Sequence, residues 1–388
     1  MKKYLTVIAA FIIMLCLGSV YAWSLIASEL IKTHGFSASQ TQVIFGALIG
    51  VFPLTMIYVG RLGKALKHRI LGYISSLLFF TGYLIAGISK GNFILVLLGI
   101  GIIGGISTGF GYWVALTSPV KWFPEKKGLI TGIAAGGFGL GALIMSEISE
   151  AFFSWGFNVM SLLKVFGIGY GLTIFIFSNF LFQIPNKSEL NDDYVKTSEF
   201  IKHRIFKKLF LGIFLGTFAG LLIIGSLKII GEKFNILNHF LVLGVVVFAI
   251  TNFLGRLIWG GISDHIGASF SIFLALLVQS ISIFLLIILN LSNISYLIVT
   301  AFIGFGFGGN FVLFAKETAQ VYGIKNLGIV YPYVFIGYAI AGIAGPTSGG
   351  LLYDISGTYF YSIALAGFIS LLGSMLFLKH FISIENNK

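Results

Sequence analysis

Long apolar stretches follow one another along almost the whole chain, and their length constrains the fold more than any motif does. A helix needs about 20 mainly apolar residues to cross a bilayer. Twelve stretches meet that length and predict twelve spans, at approximately 4–27, 41–60, 70–89, 93–118, 128–150, 161–183, 208–230, 240–262, 267–289, 294–315, 327–352 and 359–379. The start, Met1-Lys2-Lys3 and then an apolar run ending Ser19-Val20-Tyr21-Ala22, imitates a secretory signal. The run from Tyr4 to Ala27 is long enough to span, however, and similar runs follow it, so it is read as the first helix.

Soluble domains carry about 25% charged residues, whereas this chain carries 10% and is 57% apolar. No soluble fold hides that much apolar surface, so lipid is the solvent for most of it. The 50 glycines suit helices whose backbones must approach closely. The single cysteine, Cys16, rules out an intramolecular disulfide.

The net charge of +12 suggests either nucleic acid or membrane topology, and its distribution selects topology. With both termini in the cytoplasm, nineteen of the 25 Lys and Arg fall on the inner side. Five (Lys32, Lys90, Lys164, Lys228 and Lys233) fall outside, and Arg256 is left within a span. That is the positive-inside bias of a multi-pass protein of the cell membrane, with no nucleic-acid partner.

The long polar stretch from Pro185 to Lys208 divides the chain into a bundle over 1–184, a cytoplasmic linker over 185–207 and a bundle over 208–388, with six spans in each bundle. An offset of 200 residues superposes Gly60 on Gly260, Gly104 on Gly304, Gly109 on Gly309, Gly128 on Gly328, Gly137 on Gly337 and Gly167 on Gly367. The first pair follows the second span of each half, and Gly128 and Gly328 open the fifth. Two halves of like direction form a parallel repeat.

The stretch Gly260-Gly261-Ile262-Ser263-Asp264-His265-Ile266-Gly267 resembles the G-x-L-x-D-R-x-G loop of the major facilitator superfamily, with His265 where Arg is usual. The resemblance implies an all-α membrane protein of two six-helix bundles. It also implies a latch at Gly260, Asp264 and Gly267, with Asp264 facing the N-terminus of a neighbouring helix. The first-half copy, from Gly60 to Arg69, departs from the pattern, with Lys64 at the Asp position and Lys67 at the second Gly position.

Within the superfamily the chain is most similar to the oxalate–formate antiporter and bacterial monocarboxylate transporter group. The similarity is carried by Leu17 to Ser24, Lys121-Trp122-Phe123-Pro124-Glu125-Lys126-Lys127-Gly128, Gly255-Arg256-Leu257-Ile258-Trp259-Gly260, and Asn326 to Tyr331 with Gly345-Pro346.

Arg256 stands eight residues before Asp264, at the cytoplasmic end of the eighth span, and so roughly 12 Å deep. An ion at that depth costs at least about 2.5–3.5 kcal/mol and is a functional candidate by default. Guanidinium matches a carboxylate as a fork, and the resembled group places its carboxylate-binding Arg in this span. The bland reading is an Arg that snorkels to the interface or pairs with Asp264. Asn252 lies one turn earlier on the same face. Related animal carriers have Asp there, and Asn cannot take up a proton.

Tyr21, Tyr112, Trp113, Tyr331 and Tyr338 are aromatic–polar candidates, although Tyr and Trp also serve as interfacial anchors. Tyr331, Val334 and Tyr338 share a helix face by spacing. Asn310 and Gln279 are further polar residues within spans, and Lys316-Glu317 reads as structural. Oxalate carriers of the resembled group use a second cation in span eleven. Here Val334 stands at that place, and the span contains no Lys or Arg.

The six His have no metal spacing and no Walker motif is present, so neither enzyme chemistry, a cofactor, a metal nor direct ATP drive is expected. The leading expectation is a monomeric secondary carrier of small organic anions such as lactate, pyruvate or formate, with a co-transported proton or an exchanged anion. The alternatives are a carrier of sugars, osmolytes or drugs in which Arg256 is structural, and a transporter-like membrane sensor.

Overall fold

The computed structural model describes residues 1–63, 65–123, 127–182 and 197–385. Lys64, positions 124–126, the expected linker as far as 196, and Lys388 lie outside the described residues. Twelve helices among the described residues are long and apolar enough to cross a membrane: Lys2–His34, Ala38–Gly60, His68–Ile88, Phe93–Val120, Gly132–Ser154, Val159–Ser178, Arg204–Lys233, Asn238–Ile266, Ala268–Ile288, Asn293–Tyr322, Val330–Ser356 and Phe360–Leu378. We number them as spans 1 to 12. No strand occurs among the described residues.

Several helices outlast their apolar runs. Span 1 continues to His34 through a tight 3₁₀ segment, Gly18–Ala22. Span 8 continues through the Gly260–Ile266 motif, which the family pattern makes a loop. Span 10 continues past Lys316 and Glu317 to Tyr322. Hydropathy marks only the lipid-facing part of a helix, whereas backbone hydrogen bonding persists into the interface. Span 4 is π-helical over Leu97–Gly104. Span 11 is interrupted at Phe335, three residues after Pro332, whose ring removes a donor and crowds the preceding turn.

The chain forms two compact units, Met1–Pro185 with Ile224–Ile230, and Asn186–Ile223 with Gly231–Lys388. In the first, the Trp23 indole donates to the Thr41 carbonyl (3.0 Å), and Ser75 and Ser107 each donate to the other's carbonyl (2.8 Å). Ser76 donates to Gly171 (2.7 Å). In the second, Ser280 donates to Gly367 (2.8 Å) and Ser370 to Leu276 (2.9 Å), joining spans 9 and 12. Such bonds satisfy hydroxyls that lipid cannot.

The packing geometry repeats along with the glycines. A Cβ on Gly137 would lie 2.5 Å from the Phe11 carbonyl oxygen, and one on Gly337 2.6 Å from that of Phe210, so spans 1 and 5 meet as spans 7 and 11 do. Likewise Gly109 of span 4 meets the Phe52 carbonyl of span 2, and Gly308 of span 10 meets the Asn252 carbonyl of span 8. Phe52 of the first unit therefore corresponds to Asn252 of the second.

Candidate functional site

Arg256 lies ten residues before Ile266, about 15 Å along the helix, and is only 8% exposed. Its neighbours fix its direction. The guanidinium carbon sits 4.5 Å from the centroid of the Phe311 ring, and Nε donates to Asn252 Oδ1 at 3.4 Å. The ring's negative face favours the cation, most strongly where water is excluded. A guanidinium has only donors, so the oxygen of Asn252 must turn towards it. The Asn252 Nδ2 is then left buried without a partner among the described residues. Asn252 reaches Arg256 because the two are one turn apart, and Phe311 reaches it because span 10 packs closely on span 8 at Gly308.

Phe311 joins an aromatic group. Its ring meets Phe307 at 5.3 Å and Tyr338 at 5.4 Å, both edge-on. Phe335 stacks on Tyr338 (4.8 Å, 20°) and also contacts Tyr331 (5.5 Å). The second unit thus brings together four expected residues, Arg256, Asn252, Tyr331 and Tyr338. Two details differ from the expectation. The Tyr331 hydroxyl donates to the Phe311 carbonyl (3.2 Å), and the aromatic partner between the two tyrosines is Phe335, next to the fully buried Val334.

In the first unit, Tyr21 and Tyr112 both pack edge-on against Phe138, at 5.5 and 5.1 Å, and Phe52 closes the group at 5.5 Å from Tyr112. Phe138 is the 200-residue counterpart of Tyr338, so each unit centres an aromatic group on its fifth span. Trp113 lies apart from this group. It packs edge-on against His68, whose Nδ1 is 2.7 Å from the Ser118 hydroxyl.

Gln279 and Asn310 serve packing. Gln279 donates to the Gly216 carbonyl (2.8 Å), while Asn310 donates to Gln279 (3.3 Å) and to Phe307 (3.1 Å), tying spans 7, 9 and 10 together.

The latch residues differ from expectation in partner. Asp264 pairs with Lys316 of span 10, which also donates to Ser263 (2.9 Å), so Arg256 is not its counter-ion. Glu317 accepts from Ser269 (2.6 Å), adding span 9. Gly267 has φ +83°, where a side chain would be strained, whereas a Cβ on Gly260 would meet Val312 at an ordinary 3.5 Å. Lys228, expected as an outer cation, is buried in span 7 at 3% exposure, 3.8 Å from Glu29, which lies in the same unit. Arg256 is therefore not the only buried cation among the described residues, although Lys228 stands only five residues from the end of its helix.

Sequence reasoning missed Phe311, Phe335, Phe52 and Phe138. The chain has 40 phenylalanines, so composition singles none of them out. The 200-residue offset would have found Phe138 from Tyr338.

Among the described residues no cluster of His, Cys, Asp or Glu is able to hold a metal ion. The sequence matches the Major Facilitator Superfamily over residues 6–331, and again over 209–385. It is 28% identical over 354 residues to the MFS-type transporter YhjX of Escherichia coli, covering 88% of this chain and 86% of that one. It is 23% identical over 391 residues to the oxalate:formate antiporter of Oxalobacter formigenes, covering 95% and 90%. A shorter likeness, 29% over 134 residues, covers 34% of this chain and 26% of the human monocarboxylate transporter 14. With twelve apolar helices in a repeated arrangement and a match along its length, the chain belongs to the major facilitator superfamily of membrane transporters, in the company of the oxalate–formate antiporter.

Proposed function

We propose that this transporter carries small monocarboxylates across the cell membrane by alternating access, with Arg256 pairing the carboxylate. The observation that carries the reading is the buried guanidinium, oriented by the face of Phe311 and the oxygen of Asn252. A guanidinium keeps its charge throughout a transport cycle and binds a carboxylate through two parallel N–H bonds. The aromatic group formed by Phe311, Phe335 and Tyr338 supplies an apolar wall for the short carbon chain of the substrate. One fixed cation in this group matches one negative charge. Asn252 neither binds nor releases a proton, so this pair supports anion exchange over proton symport. On the charge distribution, both termini and the linker face the cytoplasm.

The purified protein in proteoliposomes should exchange labelled lactate, pyruvate or formate saturably. Arg256→Ala should abolish that exchange while the protein still inserts with normal helix content. Arg256→Lys should recover little, because a point charge lacks the fork. Undiminished carboxylate exchange by Arg256→Ala, or flux of a neutral sugar with carboxylates ignored, would make Arg256 structural and the substrate another solute class.

A further inference from the structure

Three cations gather at one end of the first unit. Lys2 Nζ lies 5.7 Å and the Arg69 guanidinium 4.6 Å from the centroid of the same Phe182 ring. Lys3 Nζ lies 5.0 Å from the Tyr4 ring and 5.6 Å from that of Phe123, and those two rings are 5.9 Å apart. Lys2 and Lys3 are exposed and Arg69 is half-buried. None of the three forms an ion pair among the described residues.

The platform beneath them is built into the fold. The Phe182 amide donates to Thr6 Oγ1 (3.3 Å), and the Thr6 hydroxyl donates to the Phe180 carbonyl (2.9 Å). The Trp122 indole donates to the Phe182 carbonyl (2.9 Å). The chain leaving span 6 is thus fastened to the start of span 1 and to the end of span 4, while Arg69 reaches it from the start of span 3. Each cation is held over a ring, and these like charges share one end of the unit and repel one another, with no carboxylate paired to them among the described residues. An anion seated among them would relieve that repulsion.

The neighbouring surface indicates what kind of anion this is. Tyr4 and Ile8, one turn apart on span 1, are both exposed, as are Ile70 on span 3 and Leu172, Phe175 and Ile176 on span 6. These side chains are exposed on spans 1, 3 and 6, the helices that begin at the cations or lead to Phe182, and in a bilayer they face lipid. A soluble anion gains nothing from such a surface, whereas an acyl chain lies along it. We infer that Lys2, Lys3 and Arg69, set on Phe182, Tyr4 and Phe123, form a binding site for the phosphate headgroup of an anionic phospholipid, whose chains lie against the exposed face of span 1. Basic residues at a membrane surface attract anionic lipid in this way. The site is independent of the transported substrate.

The test is a lipid titration of the full-length protein in detergent, read by native mass spectrometry. The probes are phosphatidylglycerol, phosphatidylcholine of the same chains, and glycerol 3-phosphate. Phosphatidylglycerol should bind the parent well above phosphatidylcholine, and glycerol 3-phosphate should not displace it at equal concentration. Each cation removed should weaken phosphatidylglycerol about fivefold, and the triple variant Lys2→Gln, Lys3→Gln, Arg69→Gln about a hundredfold. The control triple Lys202→Gln, Arg204→Gln, Lys207→Gln removes equal charge from the second unit and should change binding less than threefold. Should the first triple fold poorly, Lys2→Gln alone, at an exposed position, carries the fivefold test. Equal weakening by the two triples, equal binding of the two lipids, or displacement by glycerol 3-phosphate would each overturn the proposal.

Discussion

Replacing Phe311 with leucine tests the site through a residue that touches Arg256 without bearing any charge itself. The ring lies 4.5 Å below the guanidinium, and leucine fills much of the same volume with no negative face. A cation–π contact contributes about 0.5 kcal/mol where exposed and about 2 kcal/mol where water is excluded, and Arg256 is buried. If that contact holds the fork in position for the carboxylate, Phe311→Leu should raise the KM for monocarboxylate exchange by about 2- to 30-fold. The ring also meets Phe307 and Tyr338, so some thermal stability should be lost, at about 0.5–1.5 kcal/mol for each aromatic pair.

Phe311→Tyr separates the two effects, since it keeps the aromatic face and should keep KM within about twofold of the parent. The assay is initial-rate exchange in proteoliposomes over a range of substrate concentrations, normalised to the amount of inserted protein. A double-mutant cycle of Phe311→Leu with Arg256→Lys, read as thermal stability in detergent because the lysine variant exchanges little, should give a coupling energy outside additivity, as expected of residues in contact. Equal KM values for the leucine and tyrosine variants would refute the reasoning, as would a leucine effect confined to the amount of folded protein.

Other outcomes follow from the same geometry. Oxalate should be a poor substrate for the parent, because its second charge finds no further cation in span 11; Val334→Lys should shift preference towards oxalate in exchange assays, and efficient oxalate transport by the parent with monocarboxylates ignored would overturn the charge count. Cysteine labelling at Lys196 and Lys388 should place both in the cytoplasm, and exposure of either on the far side would sink the proposed orientation. Gln279→Leu leaves the Gly216 carbonyl and the Asn310 amide short of a partner; it should lower stability by about 1–3 kcal/mol in a detergent melt with KM unchanged, and a large KM effect would move Gln279 into the site.

The number and order of the spans were legible because an apolar run of bilayer length, repeated twelve times, has nowhere but lipid to bury its surface. The helix ends were not, since Gly260–Ile266 and Lys316–Tyr322 are polar yet keep helical hydrogen bonding. Arg256 and Asn252 stood out because polar groups inside lipid are costly and therefore rare. Their aromatic surroundings were hidden, because nothing in a run such as Gly306-Phe307-Gly308-Gly309-Asn310-Phe311 marks which ring will meet the guanidinium. The partner of Asp264 was equally illegible, since Lys316 is brought to it only by the packing of span 10 on span 8.

The π-helical stretch Leu97–Gly104 bears on how such a protein can change over generations. A π turn holds about one residue more than an α turn, and each α-helical residue advances the helix by about 100°. Loss of a single residue from this stretch would let span 4 relax into a regular helix without shortening its hydrogen-bonded length much. Everything beyond it would keep its direction to within a few tens of degrees, because the turn gives up only the residue it holds in excess. Tyr112, now edge-on to Phe138, would still point towards it. A deletion within this glycine-rich segment is therefore absorbed, whereas one in the regular helix that follows would swing every side chain beyond it by about 100° at once.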